Sequence, residues 1–266
     1  MAASIKSGDY RPRTVRGMIL ARSLDAQRRR LGISTRDLAR AVQMSPAMAN
    51  RVMTGRRVPT SVEIGGLCAV LEVPALRRPI LYDLARHADE TNWLLGSGDA
   101  PEVVGEISVL ATRSVAFDPV LVPESVRTAG YAEAVTGVPV IGQRTSPSSG
   151  VARVLVVSER SLVHDGVAAP VMSAQLRALL DCADEWVVVR AELAPPQAFT
   201  VFWFEHFPPV VHARLHGADL VLEEPAMVSG YQDLCARLLD SAESGEDSRG
   251  VVRDRLAGLG QLGGVR

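Results

Sequence analysis

The sequence has few cysteines and no long apolar run, and both absences exclude whole classes of protein. Its three cysteines, Cys68, Cys182 and Cys235, are odd in number and far apart, so they predict neither a disulfide framework nor a Cys-x-x-Cys metal site. A reducing cytoplasm is the simplest expectation from this usage. No stretch approaches the roughly 18 consecutive apolar residues of a transmembrane helix. Residues 1–16 also lack the apolar centre of a secretory signal.

Lysine is almost absent as well, since 28 of the 29 basic residues are arginine. A GC-rich genome alone would explain that preference. The net charge of −1 hides an uneven distribution along the chain. Residues 1–88 hold 16 basic and 6 acidic side chains, a balance of +10, whereas residues 89–266 hold 13 basic and 24 acidic ones, a balance of −11. This asymmetry favours a polyanionic partner for the first third of the chain only.

Residues 15–88 show the pattern of five short helices separated by tight turns. Apolar residues recur at helical spacing as far as Gly32, and Ser34 is typical of the N-cap of a second helix. Ser45-Pro46 predicts the start of a third helix, which Gly55 ends. Because the turn between the second and third helices is short, we expect them to cross steeply, as in a helix-turn-helix. The small side chain of Ala39 permits that close crossing.

The third helix presents residues that suit the major groove of DNA. Ser45 offers a hydroxyl and helix N-terminal N–H groups to a phosphate. Arg51 can bridge O6 and N7 of guanine, and Asn50 suits a base edge or a phosphate. Arg56 and Arg57 follow the helix where it would leave the groove. The outward face is predicted to consist of Ala47, Met48, Asn50, Arg51 and Thr54.

Residues 34–40 and 44–59 resemble the Xre-type, lambda-repressor-like regulators over both helices and the following loop. By position, the resemblance implies phosphate contacts for Thr35 and Ser45, base contacts for Pro46, Ala47, Met48 and Arg51, and DNA-backbone contacts for Thr54 and Arg56. With Asn50 and Arg57, these residues make up the predicted DNA-binding set. The family commonly has small hydroxyl residues where this chain has Ala47 and Met48. Specificity is therefore expected to depend on Arg51, on methyl contacts with thymine and on DNA shape.

Beyond residue 102 the apolar runs become short and rich in β-branched and aromatic residues, which is typical of strands. Predicted strands lie at 154–157, 186–189, 199–204, 210–213 and 220–222, and predicted helices at 173–182, 227–241 and about 247–259. The run 199–204 is apolar on both faces, which predicts a buried central strand. The sequence thus predicts a multidomain chain: an N-terminal all-α, five-helix, lambda-repressor-like helix-turn-helix domain over 15–88, a linker over 89–101, and a C-terminal α/β (α+β) domain over 102–262.

The second part is similar to the C-terminal module of unknown function in antitoxin-like Xre regulators of actinobacteria. The resemblance rests on residues 117–134, 154–162, 172–180, 222–231 and 247–249. The first of these stretches corresponds to a segment whose core is Pro-Gly-Leu-Leu-Gln-Thr. Glu124, Ser125 and Arg127 replace the Gly, Leu and Gln of that core. The resemblance makes a small partner protein, encoded nearby, one expectation.

Patterns that resemble catalytic or metal sites do not meet the requirements of such sites. His212 and His216 have the spacing of helical metal ligands, but on a strand-like run four residues span roughly 13 Å. Ser158, His164 and Asp165 lack the Gly-x-Ser-x-Gly elbow of a nucleophilic serine, and no phosphate-binding loop is recognisable. The sequence therefore predicts no enzyme activity, no metal and no cofactor.

Taken together, these patterns predict a cytoplasmic, sequence-specific transcriptional regulator that binds operator DNA as a homodimer and is nucleoid-associated when bound. The acidic domain is expected to dimerise, or to sense a small-molecule effector or protein partner and so shift DNA affinity. Two alternatives stay open. One is an antitoxin-like protein that mainly holds a partner and autoregulates its operon. The other is a DNA-tethered enzyme, which the lack of a recognisable nucleophile, metal or nucleotide motif disfavours.

Overall fold

The computed structural model of the chain describes residues 13–96, 98, 100–137, 151–190 and 197–262. The helices over these residues are α1 (Val15–Arg30), α2 (Thr35–Ala41), α3 (Pro46–Met53), α4 (Ser61–Val70), α5 (Arg78–Arg86), α6 (Ala100–Leu110), α7 (Ala129–Thr136), α8 (Ala169–Leu180), α9 (Pro225–Asp240) and α10 (Gly245–Leu262). The strands are β1 (Trp93–Gly96), β2 (Arg113–Asp118), β3 (Ala152–Ser158), β4 (Glu185–Val189), β5 (Phe199–Trp203), β6 (Val210–Leu215) and β7 (Ala218–Leu222). Across these ranges, no helix is long and apolar enough to cross a membrane.

The order of these elements confirms the predicted fold class. Five helices come first, and strands and helices follow. Each predicted strand and helix of the second part is present within a few residues of its expected position. Four elements, β1, β2, α6 and α7, were not predicted. The chain divides into two compact units, the first comprising residues 1–111, 203–210 and 217–225, and the second residues 112–202, 211–216 and 226–266.

The first unit contains more than the five predicted helices. Its β1 pairs antiparallel with β7, with Trp93 opposite Val221 and Leu94 opposite Leu220. Residues 89–101, which the sequence predicts to be a linker, therefore contain a paired strand and the start of α6. The Gly-rich composition of this stretch predicts a loop. The strand is not evident from the sequence, because β1 is only four residues long and its partner β7 lies far later in the chain. The domain boundaries themselves stay predictions.

Helices α2 and α3 form the predicted helix-turn-helix. Ala39 and Ala49 are fully buried where α2 packs against α3, which shows why small residues are needed there. The turn between them holds Gln43 at φ 56°, while the backbone N–H of Met44 donates to the Ala39 carbonyl at 2.8 Å. α3 also packs against α1. The orientation of α3 is thus fixed by close backbone packing on two sides.

A buried ion pair ties the end of α1 to the start of α2. The Asp25 carboxylate, fully buried, accepts hydrogen bonds from Arg28 Nε at 2.9 Å and from Arg29 Nε at 2.7 Å. Arg28, itself 3 % exposed, donates a further hydrogen bond to the Ile33 carbonyl at 2.7 Å. Ile33 immediately precedes Ser34, whose hydroxyl accepts from the Asp37 N–H and caps α2. The pair therefore sets where the second helix begins.

In the second unit, β2, β3 and β4 run parallel, with Phe117 opposite Val156 and Leu155 opposite Trp186. Its strands follow the order β6-β5-β2-β3-β4. The predicted central strand is therefore confirmed, because β5 lies between two neighbours and its Phe199, Val201 and Phe202 are buried.

Helices cover both faces of this parallel sheet. Leu155 and Trp186 share one hydrophobic core with Leu176 of α8 and Val252 of α10. Phe117 lies on the opposite face from Leu155, since successive residues of a strand alternate. There its ring lies 5.7 Å from that of Phe199, which in turn lies 5.1 Å from the ring of Tyr231 on α9. The arrangement is the α/β layering that the sequence predicts.

Replacing Asp25 with alanine is expected to destabilise the first unit by about 3–5 kcal/mol, because it leaves the buried Arg28 guanidinium without its counter-charge. Chemical denaturation followed by circular dichroism measures this loss. Arg40→Ala is the matched control: its ion pair with Asp37 is exposed on both sides, so the change should cost well under about 1 kcal/mol. Equal losses in the two variants would contradict the role assigned to Asp25.

Candidate nucleic-acid interface

The N-terminus of α3 is built as an anion-accepting end. Ser45 caps the helix by accepting a hydrogen bond from the Met48 N–H at 3.2 Å, and its exposed hydroxyl keeps a hydrogen to donate. Pro46 has no N–H at all. Within the described part of the chain, the backbone N–H of Ala47 has no partner. This N–H and the Ser45 hydroxyl can therefore both donate to a phosphate at the positive end of the helix.

One side of α3 faces solvent and the other is buried. The buried side consists of Ala49, Val52 and Met53. The solvent side is called here the recognition face and consists of Ser45, Pro46, Ala47, Met48, Asn50 and Arg51. Met48 is half-buried, and the other five are exposed. The structure thus brings six of the ten predicted DNA-binding residues together on one surface, and their contacts with DNA stay a prediction.

Thr54 does not lie on this face, so its predicted outward position is wrong. Its side chain is 4 % exposed, and its hydroxyl donates to the Asn50 carbonyl at 2.8 Å. Thr54 is the residue at which α3 ends, before Gly55 takes φ 72°. Hydroxyl side chains at such positions bond to the carbonyl one turn back. A DNA phosphate therefore finds no free hydroxyl at this position.

Arg56 and Arg57, which follow α3, differ in what they have available. Arg56 is exposed, and no ion pair or hydrogen bond of its side chain occurs among the residues placed in the structure. Arg57 is half-buried and donates to both carboxylate oxygens of Glu63, at 2.8 and 2.9 Å. Its predicted DNA contact would have to compete with this pair. Arg57 thus holds the loop after α3, whereas Arg56 is available to a ligand.

Glu63 also completes the cap of α4. Its carboxylate accepts from the Thr60 N–H at 2.8 Å, and the Thr60 hydroxyl accepts from the Glu63 N–H at 3.3 Å. This reciprocal pair is a capping box. Burial alone would raise the pKa of Glu63, but the hydrogen bonds from Arg57 and Thr60 outweigh it and hold the pKa below its ordinary value. Glu63 is therefore a fixed negative charge that anchors the loop behind the recognition face.

Sequence reasoning missed Arg36. It is exposed in the first turn of α2, beside the half-buried Thr35. No side-chain partner of Arg36 occurs in the ranges that the structure describes. A cation in the first turn opposes the helix dipole, so the position does not help the helix. An arginine in the first turn of a predicted helix, next to the predicted phosphate contact at Thr35, is the sequence signal that could have indicated this residue.

In the second unit, the loop after β2 is held by an internal ion pair. Arg127 is 6 % exposed and donates to Asp118 Oδ2 at 2.9 Å and to the Val122 carbonyl at 2.6 Å. Burial lowers the pKa of Arg127, and the Asp118 carboxylate acts against that shift. Arg127 stands where the similar module has Gln. In this chain the replacement acquires a structural role, because Asp118 neutralises it.

Other residues that carry the same resemblance are likewise engaged in the fold. The amide of the buried Gln175 accepts from the Thr128 N–H at 2.6 Å and donates to the Val126 carbonyl at 2.8 Å. Ser248, fully buried, accepts from the Val188 N–H of β4 at 2.9 Å. Arg249 donates to the Leu180 carbonyl at 2.8 Å and lies over the ring of Trp186. These contacts fasten the loop to α8, and α10 to β4 and the end of α8.

The serine and histidine side chains with spacings like those of catalytic or metal sites do not form a common site among the described residues. Ser158 is fully buried and caps a short 3-10 helix by accepting from the Arg160 N–H. His164 accepts from the Gly166 N–H at 3.2 Å. His212 is buried and His216 exposed. Over the described ranges, no group of three metal-ligating side chains comes together.

In a comparison with known proteins, two family models match separate stretches of the chain. A model of a helix-turn-helix domain matches residues 19–80. A model of a domain of unknown function, DUF5753, matches residues 143–254. No curated protein and no solved structure matches the chain. The chain therefore carries a helix-turn-helix domain, which indicates DNA binding, followed by a region similar to a domain without an assigned function.

Replacing Glu63 with alanine is expected to lower the free energy of unfolding by about 1 kcal/mol at neutral pH, since α4 loses half of its capping box. Because the folded pKa of Glu63 is lowered, its contribution is present above the ordinary value of 4.5 and is lost as the pH falls through the folded pKa. The gap between wild type and Glu63→Ala should therefore narrow in acid. Thermal unfolding between pH 7 and pH 3, with the exposed Glu72→Ala as control, checks this. A gap that does not change with pH would contradict it.

Proposed function

We propose that this chain is a sequence-specific transcriptional regulator of the Xre type, which binds operator DNA in the cytoplasm as a homodimer and is modulated through residues 102–262. The observation that carries the proposal is the recognition face. It combines a helix N-terminus whose Ala47 N–H and Ser45 hydroxyl can still donate, an exposed amide and an exposed guanidinium on one side of a helix whose other side is buried. The helix-turn-helix match over residues 19–80 supports the same conclusion.

In the proposed complex, α3 lies in the major groove and its N-terminus faces a phosphate. The Ser45 hydroxyl and the Ala47 N–H donate to that phosphate and fix the register. Arg51, between one and two turns further along, reads guanine through a bidentate contact. Arg36 and Arg56 contact phosphates on either side. Because Arg51 is exposed and has no intramolecular side-chain partner in the described ranges, no ion pair has to break when DNA binds.

The homodimer follows from the small reading surface of one such face. A single helix-turn-helix reads only one half-site, and paired half-sites lie about 34 Å apart along DNA. The α4–α5 region carries a surface suited to pairing. Val62, Leu76 and Ile80 are 86 %, 91 % and 53 % exposed, and Leu76 and Ile80 lie four residues apart. Covering exposed apolar side chains of this size with a second copy removes their surface from water, which favours association.

The second unit is proposed to have a binding or regulatory role. Gln175, Ser248 and Arg249, which lie in stretches that carry its resemblance, are engaged in structural contacts, and so is Arg127. Such side chains are not available as nucleophiles, bases or ligands to a metal. An effector or protein partner that binds the two DNA-affinity states differently would shift the equilibrium between them.

Arg51→Ala is expected to weaken binding to the operator by roughly 1–3 kcal/mol and binding to random duplex much less, if Arg51 reads guanine. Genome-wide footprinting first defines the operator, and fluorescence anisotropy then compares the two duplexes. Arg51→Lys keeps the charge but loses the bidentate geometry, so it should resemble Arg51→Ala on the operator. Equal losses on both duplexes would show that Arg51 only grips phosphate. Thr54→Val is the control, and its DNA affinity should stay unchanged because that hydroxyl bonds within α3.

Ile80→Asp is expected to convert the dimer into a monomer and to weaken binding to a two-half-site operator while leaving single half-site affinity unchanged. The reason is that a charge on the proposed pairing surface must be desolvated when two copies meet. Analytical ultracentrifugation and anisotropy measure the two effects. Leu94→Asp, at an apolar residue that is 66 % exposed on β1, is the matched control. A wild-type chain that sediments as a monomer on operator DNA would overturn the dimer.

A further inference from the structure

A glutamate from much later in the chain contacts the start of the first helix of the first unit. Glu223, which directly follows β7, is 7 % exposed. Its Oε2 accepts a hydrogen bond from the backbone N–H of Val15 at 2.6 Å, across 208 residues of sequence. Val15 is the first residue of α1. The carboxyl group therefore sits at the positive end of the first helix.

Neighbouring contacts fix both partners in place. The Thr14 hydroxyl caps α1 by accepting from the Gly17 N–H at 3.1 Å, and it donates to the Ala88 carbonyl. Asn92, at φ 61°, accepts through Oδ1 from the backbone N–H groups of Glu223 and Glu224, at 2.9 and 3.2 Å. Asn92 therefore fixes the backbone from which the Glu223 side chain reaches the start of α1.

The second oxygen of this carboxyl lacks a hydrogen-bond donor among the described residues. Glu223 Oε1 is buried, and no hydrogen-bond partner for it occurs in the described part of the chain. A buried anion with one unsatisfied oxygen is costly. A protonated carboxyl avoids most of that cost, while its Oε2 can still accept from Val15.

Three charged groups on the surrounding segments bear on Glu223. Arg16 on α1 favours the anion, but its guanidinium is engaged with the Glu90 carbonyl at 2.9 Å and lies over the Trp93 ring. Glu90 is paired with His87 through its own carboxylate. Glu224 is exposed. Burial raises the pKa of Glu223 to about 7, against the smaller effects of the Val15 hydrogen bond and the Arg16 charge.

We propose that Glu223 is a proton-controlled latch on the DNA-binding unit: its burial against the start of α1 stabilises the folded unit more when the carboxyl is protonated than when it is ionised. The folded state retains the proton to a higher pH than the unfolded chain does. Stability from this group therefore falls as the pH rises from about 4.5 to about 7, and stays low above that range. The direction is opposite to that of Glu63.

The latch lies on a stretch of chain that joins two parts of the molecule. Residues 217–225 belong to the first unit, and the chain continues from Glu224 into α9, most of which belongs to the second. A change in the position of this stretch would therefore withdraw the acceptor from the α1 N-terminus. Protonation within the near-neutral range sets how much free energy that withdrawal requires.

Glu223→Gln in the full-length chain tests the latch, because glutamine keeps an acceptor for the Val15 N–H and cannot ionise. Thermal unfolding is measured between pH 5 and pH 8, with the exposed neighbour Glu224→Gln as the matched control. The Glu223→Gln variant should have a Tm close to that of wild type at pH 5 and higher by several degrees at pH 8. Glu224→Gln should follow wild type throughout. Other titrating groups contribute equally to all three proteins and cancel in the comparison.

A gap between Glu223→Gln and wild type that does not widen with pH would overturn the latch. Direct titration of the Glu223 carboxyl by ¹³C NMR gives a second measurement that needs no variant. A midpoint near 7 supports the latch, and a midpoint near the ordinary glutamate value overturns it. Neither readout involves DNA, so the latch can fail while the proposed regulator stands, or the reverse.

Discussion

The buried carboxylate of Asp25 is the constraint on which the start of α2, and with it the helix-turn-helix, depends. Asp25 neutralises Arg28, and Arg28 holds the Ile33 carbonyl just before the cap of α2. Replacing such a pair by apolar residues often changes the free energy of unfolding little. The pair therefore contributes directional hydrogen bonds more than net stability. A guanidinium forms fixed, directional bonds, whereas an apolar contact tolerates sliding. In this chain those bonds hold the residue before the cap of α2 in place, and packing against α1 and α2 then fixes the orientation of α3.

Local signals in the sequence were sufficient for the helix-turn-helix, because each of its boundaries is set by a residue acting on its own neighbours. Ser45 caps the helix that it precedes, and Gly55 takes the positive φ that ends it. Signals of that kind fail where the partner is distant. The Gly, Ser and Pro residues at 96–101 predict a linker, and nothing local reveals β1 because its partner β7 lies far later in the chain. Asp25 gave no signal either, since a charged residue at helical spacing is normally expected on the surface.

Thr54 shows a different limit. A helical wheel places it near the outward face, and the family resemblance assigns it to the DNA backbone. At the last turn of a helix, however, the side chain can bond back to the preceding turn, and the Thr54 hydroxyl does so. Whether it does depends on packing against the rest of the unit, which periodicity does not describe. The same holds for Arg57, whose charge is bound by Glu63. The balance of +10 therefore overstates the positive charge available to DNA.

The second unit separates what a motif does for folding from what it does for function. By the resemblance, Arg127 replaces a glutamine of the similar module. The loop after β2 can still hold this charged side chain, because the Asp118 carboxylate lies opposite and neutralises it. Arg127 also donates to the Val122 carbonyl, so its guanidinium holds the loop at two points. Gln175 and Ser248 likewise satisfy backbone groups that would otherwise be buried without partners. A resemblance carried by such residues indicates a shared fold and does not by itself assign a function to the module.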